Sequence, residues 1–256
     1  MSTWSGVVAR GVALALISGV LALPVAAQDA AASAPAPATL SKKDPFEGFN
    51  RSVFSFNEAV DVAVLKPVAQ AYRDVVPEFV RITVDNVFGN VADVWSTVNH
   101  LLQGKLENTL RMGFRVATNT VLGFGGMLDI ATEAGLERQS EDFGQTLGYW
   151  GMPPGPYLVL PVLGPSTVRD TAALVADLQA GPTQYIDDGA GTLAGVTVLR
   201  VVSTRSGLLG ASKVLDDVAL DKYSFLRDLY LARRKNQVYD GDPPPEPEEA
   251  DPEAKP

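Results

Sequence analysis

No cysteine occurs among the 256 residues, and there is a single histidine, His100. The first absence excludes disulfides, thiolate metal sites and thiol catalysis, so packing and polar contacts must hold the fold. The second leaves no imidazole pair for a metal. His100 itself lies in VNHLLQG near a helix end, where a cap or surface contact suits it better than catalysis. No metal and no cofactor is expected. Long apolar runs are missing after the N-terminus: nothing there reaches about 18 uninterrupted apolar residues, so a spanning helix is not expected. An excess of positive charge is lacking too. The formal net charge is -9, which makes nucleic acid an unsuitable partner.

What the chain does have begins with an export pattern. In MSTWSGVVARGVALALISGVLALPVAAQDA, Arg10 supplies a positive n-region, Gly11 to Leu23 an apolar stretch and Val25-Ala26-Ala27 a small-residue cleavage site. Residues 1–27 therefore read as a secretory signal peptide, with a short membrane anchor as the alternative. Residues 28–41, which contain AASAPAPATL, and residues 239–256, which are rich in Pro and Glu, have the composition of disorder. The folded unit is expected over 42–238, as one domain.

Within it the apolar residues recur every three or four places, which argues for an all-α fold. Phe46, Phe49, Val53, Phe56, Val60 and Val64 form one stripe, with Asp44 as N-cap, Pro45 at the first helical position and Glu47 completing a capping box. Lys66-Pro67 is expected to break that helix. A valine-rich segment, Val84, Val87, Val91, Val94, Val98 and Leu101, reads as a helix stopped by Gly104, although EFVRITVDNV alone could be a strand. Leu106, Leu110, Phe114, Ala117 and Val121 define the next helix, GFGGM interrupts, and a short helix follows near 128–134. Ser166 is expected to cap a helix to about residue 179. Three more patterns cover 191–203, 207–219 and 222–236, and no hairpin signal stands out.

The search for chemistry returns little. Ser166 in GPSTV lacks the second glycine of a nucleophile elbow. Neighbouring carboxylates, Glu141-Asp142, Asp187-Asp188 and Asp216-Asp217, point apart on regular backbone and make poor acid/base dyads. GFGG follows a helix without a downstream G-K-[ST], and Asn50-Arg51-Ser52, a glycosylation sequon, sits inside an amphipathic helix. Arg169-Asp170 admits two readings: an ion pair at a helix start, or an arginine facing lipid headgroups.

One stretch resists the helical pattern. EDFGQTLGYWGMPPGPYLVLPVLGPSTVRD, residues 141–170, packs five glycines and five prolines among large apolar side chains. Prolines fix φ and remove donors, so an irregular wall meeting lipid on one side and water on the other is the expectation.

DPFEGFNRSVFSFN (44–57), LKPVAQAYRDVVP (65–77), GFGGMLDIA (123–131), DFGQTLGYWG (142–151), GPYLVLPVLGPSTVRD (155–170) and DKYSFLRDLYLARR (221–234) resemble the MlaA/VacJ family of outer-membrane phospholipid-transport proteins. The resemblance implies a ring-like domain of amphipathic helices in the periplasmic leaflet of the outer membrane, around a channel. Misplaced phospholipids would pass through it to a periplasmic lipid-carrier protein, with a trimeric porin as a further partner and no covalent chemistry. It also implies channel or gating roles for Gly123, Phe124, Gly125, Gly126, Phe143, Leu147, Tyr157, Leu160, Pro161, Arg169 and Asp170, and a membrane-facing first helix at Phe46, Phe49, Val53 and Phe56. The family typically carries a lipidated cysteine after the signal sequence. None is present here, so helix surfaces or a partner would have to anchor the chain. A soluble periplasmic binder of apolar ligands, or an envelope scaffold, is the rival expectation. A lipid hydrolase is a third, and it lacks an activated nucleophile.

Overall fold

A computed structural model describes residues 44–180 and 190–244. The expected signal peptide, the linker 28–41, Asp187-Asp188 and the tail beyond 244 lie outside the described residues. Within them the chain is helical, as expected: α1 Glu47–Val60, a π-helical turn Asp61–Leu65, α2 Lys66–Val75, α3 Glu78–Leu102, α4 Leu106–Val121, α5 Ile130–Glu133 and α6 Phe143–Tyr149 come first. Strands β1 Tyr157–Leu160 and β2 Gly164–Thr167 precede α7 Val168–Ala180, α8 Ala190–Gly207, α9 Leu209–Val218 and α10 Lys222–Val238.

Local chemistry accounts for several boundaries and corrects four expectations. Lys66-Pro67 does not break the first helix. The wide π turn before it accommodates Pro67 in the first turn of α2, and the helix runs on. The real break is at Val76, held extended ahead of Pro77. Asp44 is not a helix cap either: it is fully buried, accepts from Asn50 Nδ2 at 2.8 Å and receives the Tyr223 hydroxyl, so it fastens the start of α1 to α10. The cap of α7 is Thr167, whose Oγ1 accepts from Asp170 N at 3.2 Å, while Ser166 sits in β2. Gly104, with φ of 72°, ends α3 as expected.

The fourth correction concerns the proline-rich stretch, much of which is regular. Its first part is α6, and β1 pairs antiparallel with β2, Tyr157 opposite Thr167 and Leu160 opposite Gly164. A two-stranded ribbon has open edges, so Pro165 costs it no ladder bond where the donor would face outward. The other edge is satisfied from α1. Asn50 accepts from Val159 N at 2.9 Å and donates to Tyr157 O at 3.0 Å; two turns on, Asn57 accepts from Val162 N at 2.7 Å and donates to Leu160 O at 2.9 Å. Two asparagines thus act as a third strand. With Asn50 fully buried and both its amide atoms hydrogen-bonded, the sequon is inaccessible to a glycan in this fold.

Helix burial is inverted relative to a water-soluble protein. On α3 the buried residues are Asn90, Asp93, Ser96, Asn99 and His100, and on α4 they are Met112, Arg115 and Asn119. The apolar positions are open: Leu110 is 62% exposed, Phe114 64% and Val121 76%. A small apolar core, Tyr157, Val159 and Tyr223 with Val53, Phe54, Tyr230 and Leu231 around it, ties α1, the hairpin and α10 together.

Candidate functional site

Inside the inverted helices most of the polar groups satisfy one another, Asn90 Oδ1 and His100 Nδ1 being buried without a hydrogen-bond partner. Arg115, 1% exposed, donates Nε to Asp93 at 2.9 Å, Nη2 to Asp129 at 2.6 Å, and Nη1 to Thr132 Oγ1 and Leu136 O. Asn119 donates to Asp129 and accepts from Ala131 N, and Arg138 adds a second cation to Asp93. Asp129 is desolvated, but Thr132, Asn119 and Arg115 outweigh that and hold its carboxyl below the usual range. Towards the other end of α3, Gln103 bridges Glu141 and Thr146, and Lys105 pairs with Glu141 and Asp240. Burial pushes the Glu141 carboxyl up, against the pull of Gln103 and Lys105. Side chains that would be costly in hydrocarbon are thereby paired internally, while the apolar ones face out.

The segment DFGQTLG positions a second network. Asp142 caps α6 through Gln145 N at 2.8 Å and also receives Arg234 through Nη1 at 2.6 Å and Nη2 at 2.5 Å. Arg234 Nε reaches Asp170 Oδ2 at 2.9 Å, the Tyr230 hydroxyl donates to that same oxygen at 2.9 Å, and Arg169 Nε donates to Asp170 Oδ1 at 2.9 Å. Burial raises the Asp170 pKa, but Arg234 and Arg169 more than offset it and hold the carboxyl below its ordinary value. Room for both guanidinium groups comes from two glycines one turn apart. A Cβ on Gly144 would lie 2.4 Å from Arg234 Nη2, and one on Gly148 would lie 2.6 Å from Arg169 Nη1.

Beside this network opens a cleft of ≈ 800 Å³, lined by Gly148, Gly151, Met152, Pro153, Pro154, Thr167, Arg169, Asp228, Leu231, Ala232, Arg234, Lys235, Val238 and Tyr239. It combines an apolar wall with cationic side chains, the composition of a site for an amphiphile. Arg169, buried, and Asp170, half-buried, are adjacent in sequence and work as a pair.

The other residues singled out in the sequence are spread more widely. Phe143 and Leu147 are half-buried on α6, Phe143 edge-on to Trp150 with ring centres 6.2 Å apart. Tyr157 is 1% exposed in the apolar core, Leu160 is half-buried and Pro161 is exposed at the hairpin corner. Phe46, Phe49 and Phe56 point outward, whereas Val53 packs on the core cluster. GFGG forms a tight turn after α4: Gly125 N donates to Thr120 O and Gly126 N to Asn119 O, both at 2.8 Å, and Phe124 is 74% exposed at φ of 53°. Gly126 abuts Asn90, where a Cβ would lie 2.7 Å from Asn90 Cβ. The turn is therefore packed on α3 and α4.

The catalytic candidates are not assembled. Ser166 Oγ meets Thr171 Oγ1 at 2.9 Å, and His100, buried rather than surface-placed, turns Nε2 to Gln139 O at 3.1 Å. Adjacent carboxylates diverge, Glu141 to Lys105 and Asp142 to Arg234, and Asp216 pairs with Lys222. Among the described residues no group of three or more His, Asp or Glu could hold a metal ion. Sequence reasoning missed Asn50, Asn57, Gly144, Gly148 and Arg234. The seven-residue spacing of the two asparagines and the four-residue spacing of the two glycines were the available signals.

Comparison with known proteins agrees with this geometry. The family model described as MlaA lipoprotein matches residues 42–237. The intermembrane phospholipid transport system lipoprotein MlaA of Escherichia coli (strain K12) is 35% identical over 200 residues, covering 75% of this chain and 77% of that protein. The protein of the same name from Haemophilus influenzae is 30% identical over 213 residues, covering 78% and 81%. A solved structure presented as the structural basis for maintenance of bacterial outer membrane lipid asymmetry aligns with a TM-score of 0.68 at 35% identity, over 77% of this chain and 100% of that one. In sequence and in the arrangement of its helices, the chain belongs to the MlaA lipoprotein family.

Proposed function

We propose that this chain is a phospholipid-transport component of the bacterial outer membrane, held in its periplasmic side by the outward apolar faces of its helices. It takes misplaced phospholipid from the outer leaflet and passes it to a periplasmic carrier, so maintaining lipid asymmetry, and it works without covalent chemistry. The observation that carries this reading is the inverted burial of α3 and α4. Leu106, Leu110, Phe114 and Val121 lie open along one face, and covering such side chains with lipid contributes on the order of 1.5–3 kcal/mol each. Among the described residues no helix is long and apolar enough to cross a membrane, which suits helices lying along a leaflet. Residues 1–27 would direct export, and a trimeric porin would be the neighbour in the membrane. In this reading the cleft beside α10 belongs to the lipid path and the GFGG turn borders it.

The experiment is to measure phospholipid exposed on the surface of cells lacking the protein, using a modifying enzyme that reaches only the outer leaflet. Exposure should rise and fall back when the native chain is restored. Unchanged exposure in a strain without a redundant homologue would sink the transport reading and favour a soluble periplasmic binder.

A further inference from the structure

The end of α3 holds the chain's only histidine in a setting that suits one charge state. His100 is 1% exposed, and its Nε2 faces Gln139 O at 3.1 Å. A carbonyl only accepts, so Nε2 carries the ring proton. Nδ1 is buried with no protein hydrogen-bond partner. The neutral ring therefore fits, whereas a second N–H would be shut in without an acceptor. Burial pushes the His100 pKa down, with Lys105 adding to it and Gln139 O and Asp240 opposing it.

The charged groups on the elements around the ring are engaged elsewhere or face water. Lys105, at the turn into α4, pairs with Glu141 and Asp240 and lies 4.9 Å from the centre of the Tyr149 ring on α6. Arg115 on α4 is taken by Asp93 and Asp129, and Arg138 also turns to Asp93. Asp177 on α7 receives Trp95 Nε1 and Phe143 N, while Glu107, Arg111 and Glu137 are exposed. Gln139 belongs to the segment 137–141 that leads along α3 into α6. Its N–H donates to Met112 Sδ at 3.4 Å, and Ser96 Oγ exchanges bonds with Glu141 N and O at 3.1 and 3.2 Å. The next residue, Asp142, caps α6 and receives Arg234.

We propose that His100 is an acid-sensitive fastener: once protonated, its ring leaves the pocket for water, gives up Gln139 O and loosens the segment that carries Asp142 into α6. This switch goes beyond the transport reading and does not depend on it. A ring that is neutral in the closed corner and titrates near pH 6.5 when open contributes stability that is present above about pH 6.5 and is lost as pH falls. Glu141 and Asp177 act in the opposite sense. Burial holds both of their pKa values up, so the closed form gains stability from them as pH falls. Acid therefore weakens this corner through His100 and not through its buried carboxylates.

The test uses the full, untagged chain in detergent, where a single histidine makes the imidazole directly visible by nitrogen NMR. Hydrogen exchange of the amides in 137–141 is followed at about pH 7.5 and about pH 5.5, corrected for the intrinsic effect of pH. The ring should hold its Nε2–H tautomer at the higher pH. Opening of 137–141 should rise about tenfold at the lower one, the limit set by a ring of pKa near 6.5 that charges only when open. Exchange across α1 should stay as it was. His100→Gln, whose amide can donate to Gln139 O without titrating, should remove the pH response. No rise in opening at the lower pH would overturn the proposal, and so would an equal rise in His100→Gln. Loss of protection throughout the chain would overturn it too, as global unfolding rather than local release. If His100→Gln does not fold, the ring titration and segment exchange of the native chain decide by themselves: a ring that charges while 137–141 stays closed refutes the fastener.

Discussion

Gly144 and Gly148 stand one turn apart on α6 because two arginines pass where their side chains would be. Arg234 Nη2 is the far end of a long side chain, and in other settings it could step aside for a methyl group. Here it is fixed by bonds to both Asp142 Oδ1 and Asp170 Oδ1, and a Cβ on Gly144 would also come within 2.6 Å of Asp170 Oδ1. Gly144→Ala should therefore cost about 2–3 kcal/mol of stability in detergent, the upper part of the range for overpacking. Gly125 is the contrast, since its demand is conformational: φ is 75° with open space around the missing Cβ. Gly125→Ala should cost only about 1 kcal/mol, the penalty for left-handed backbone. Chemical unfolding of the two variants side by side gives the answer, and the reverse order would mean that Arg234 is not held as tightly as its bonds imply. Gly125→Pro is a poor probe of motion in this turn, because proline can neither adopt that φ nor donate to Thr120 O.

Periodicity located the helices well but was silent on which way each faces. Leu106, Leu110, Phe114, Ala117 and Val121 predicted α4, and the structure leaves all five exposed. A stripe of spacing three and four records that something apolar covers it, whether protein or lipid. Asn90, Asp93, Ser96, Asn99 and Gln103 on and just after α3 have the same spacing and are the buried set, yet polar residues are ordinarily read as the solvent face. The hairpin was missed for a different reason. Its corner, Pro161-Val162-Leu163, has no Asn-Gly signal, and Val162 is held at φ of 66° by the long-range bond from its N–H to Asn57. A capping box at Asp44 failed likewise, its carboxylate being claimed by Tyr223 on α10. Helix α4 can be tested on both faces. Phe114→Glu should leave stability in detergent within about 0.5 kcal/mol, as for an exposed site, while releasing the chain from membranes washed with carbonate. Arg115→Met, on the other face, should cost about 3–5 kcal/mol by leaving Asp93 and Asp129 without their shared cation. Equal destabilisation by the two would show that protein, not lipid, covers Phe114.

At the scale of the whole molecule, the inversion says where stability comes from. Among the described residues the fully buried apolar ones are few and mostly small or tyrosine, among them Ala69, Met112, Ala131, Tyr157, Val159, Ala173 and Tyr223. Such a core supplies little of the driving force that a domain of this length normally draws from water. The remaining apolar surface, Phe49, Phe79, Leu110, Phe114, Leu122 and Phe124 among it, would have to be covered by lipid, detergent or further copies of the chain. Binding to the folded state alone adds stability that grows with the concentration of whatever binds. Purified chain should therefore be monodisperse in detergent or lipid nanodiscs and self-associate when the amphiphile is removed. Its thermal midpoint should climb with lipid content by several degrees, whereas a soluble binder would show a midpoint indifferent to lipid once its cleft is filled. Light scattering and thermal unfolding across a detergent series separate the two. A monomer that stays stable in plain buffer, with no rise on adding lipid, would mean that water tolerates the outward apolar faces and that they do not hold the chain in a membrane.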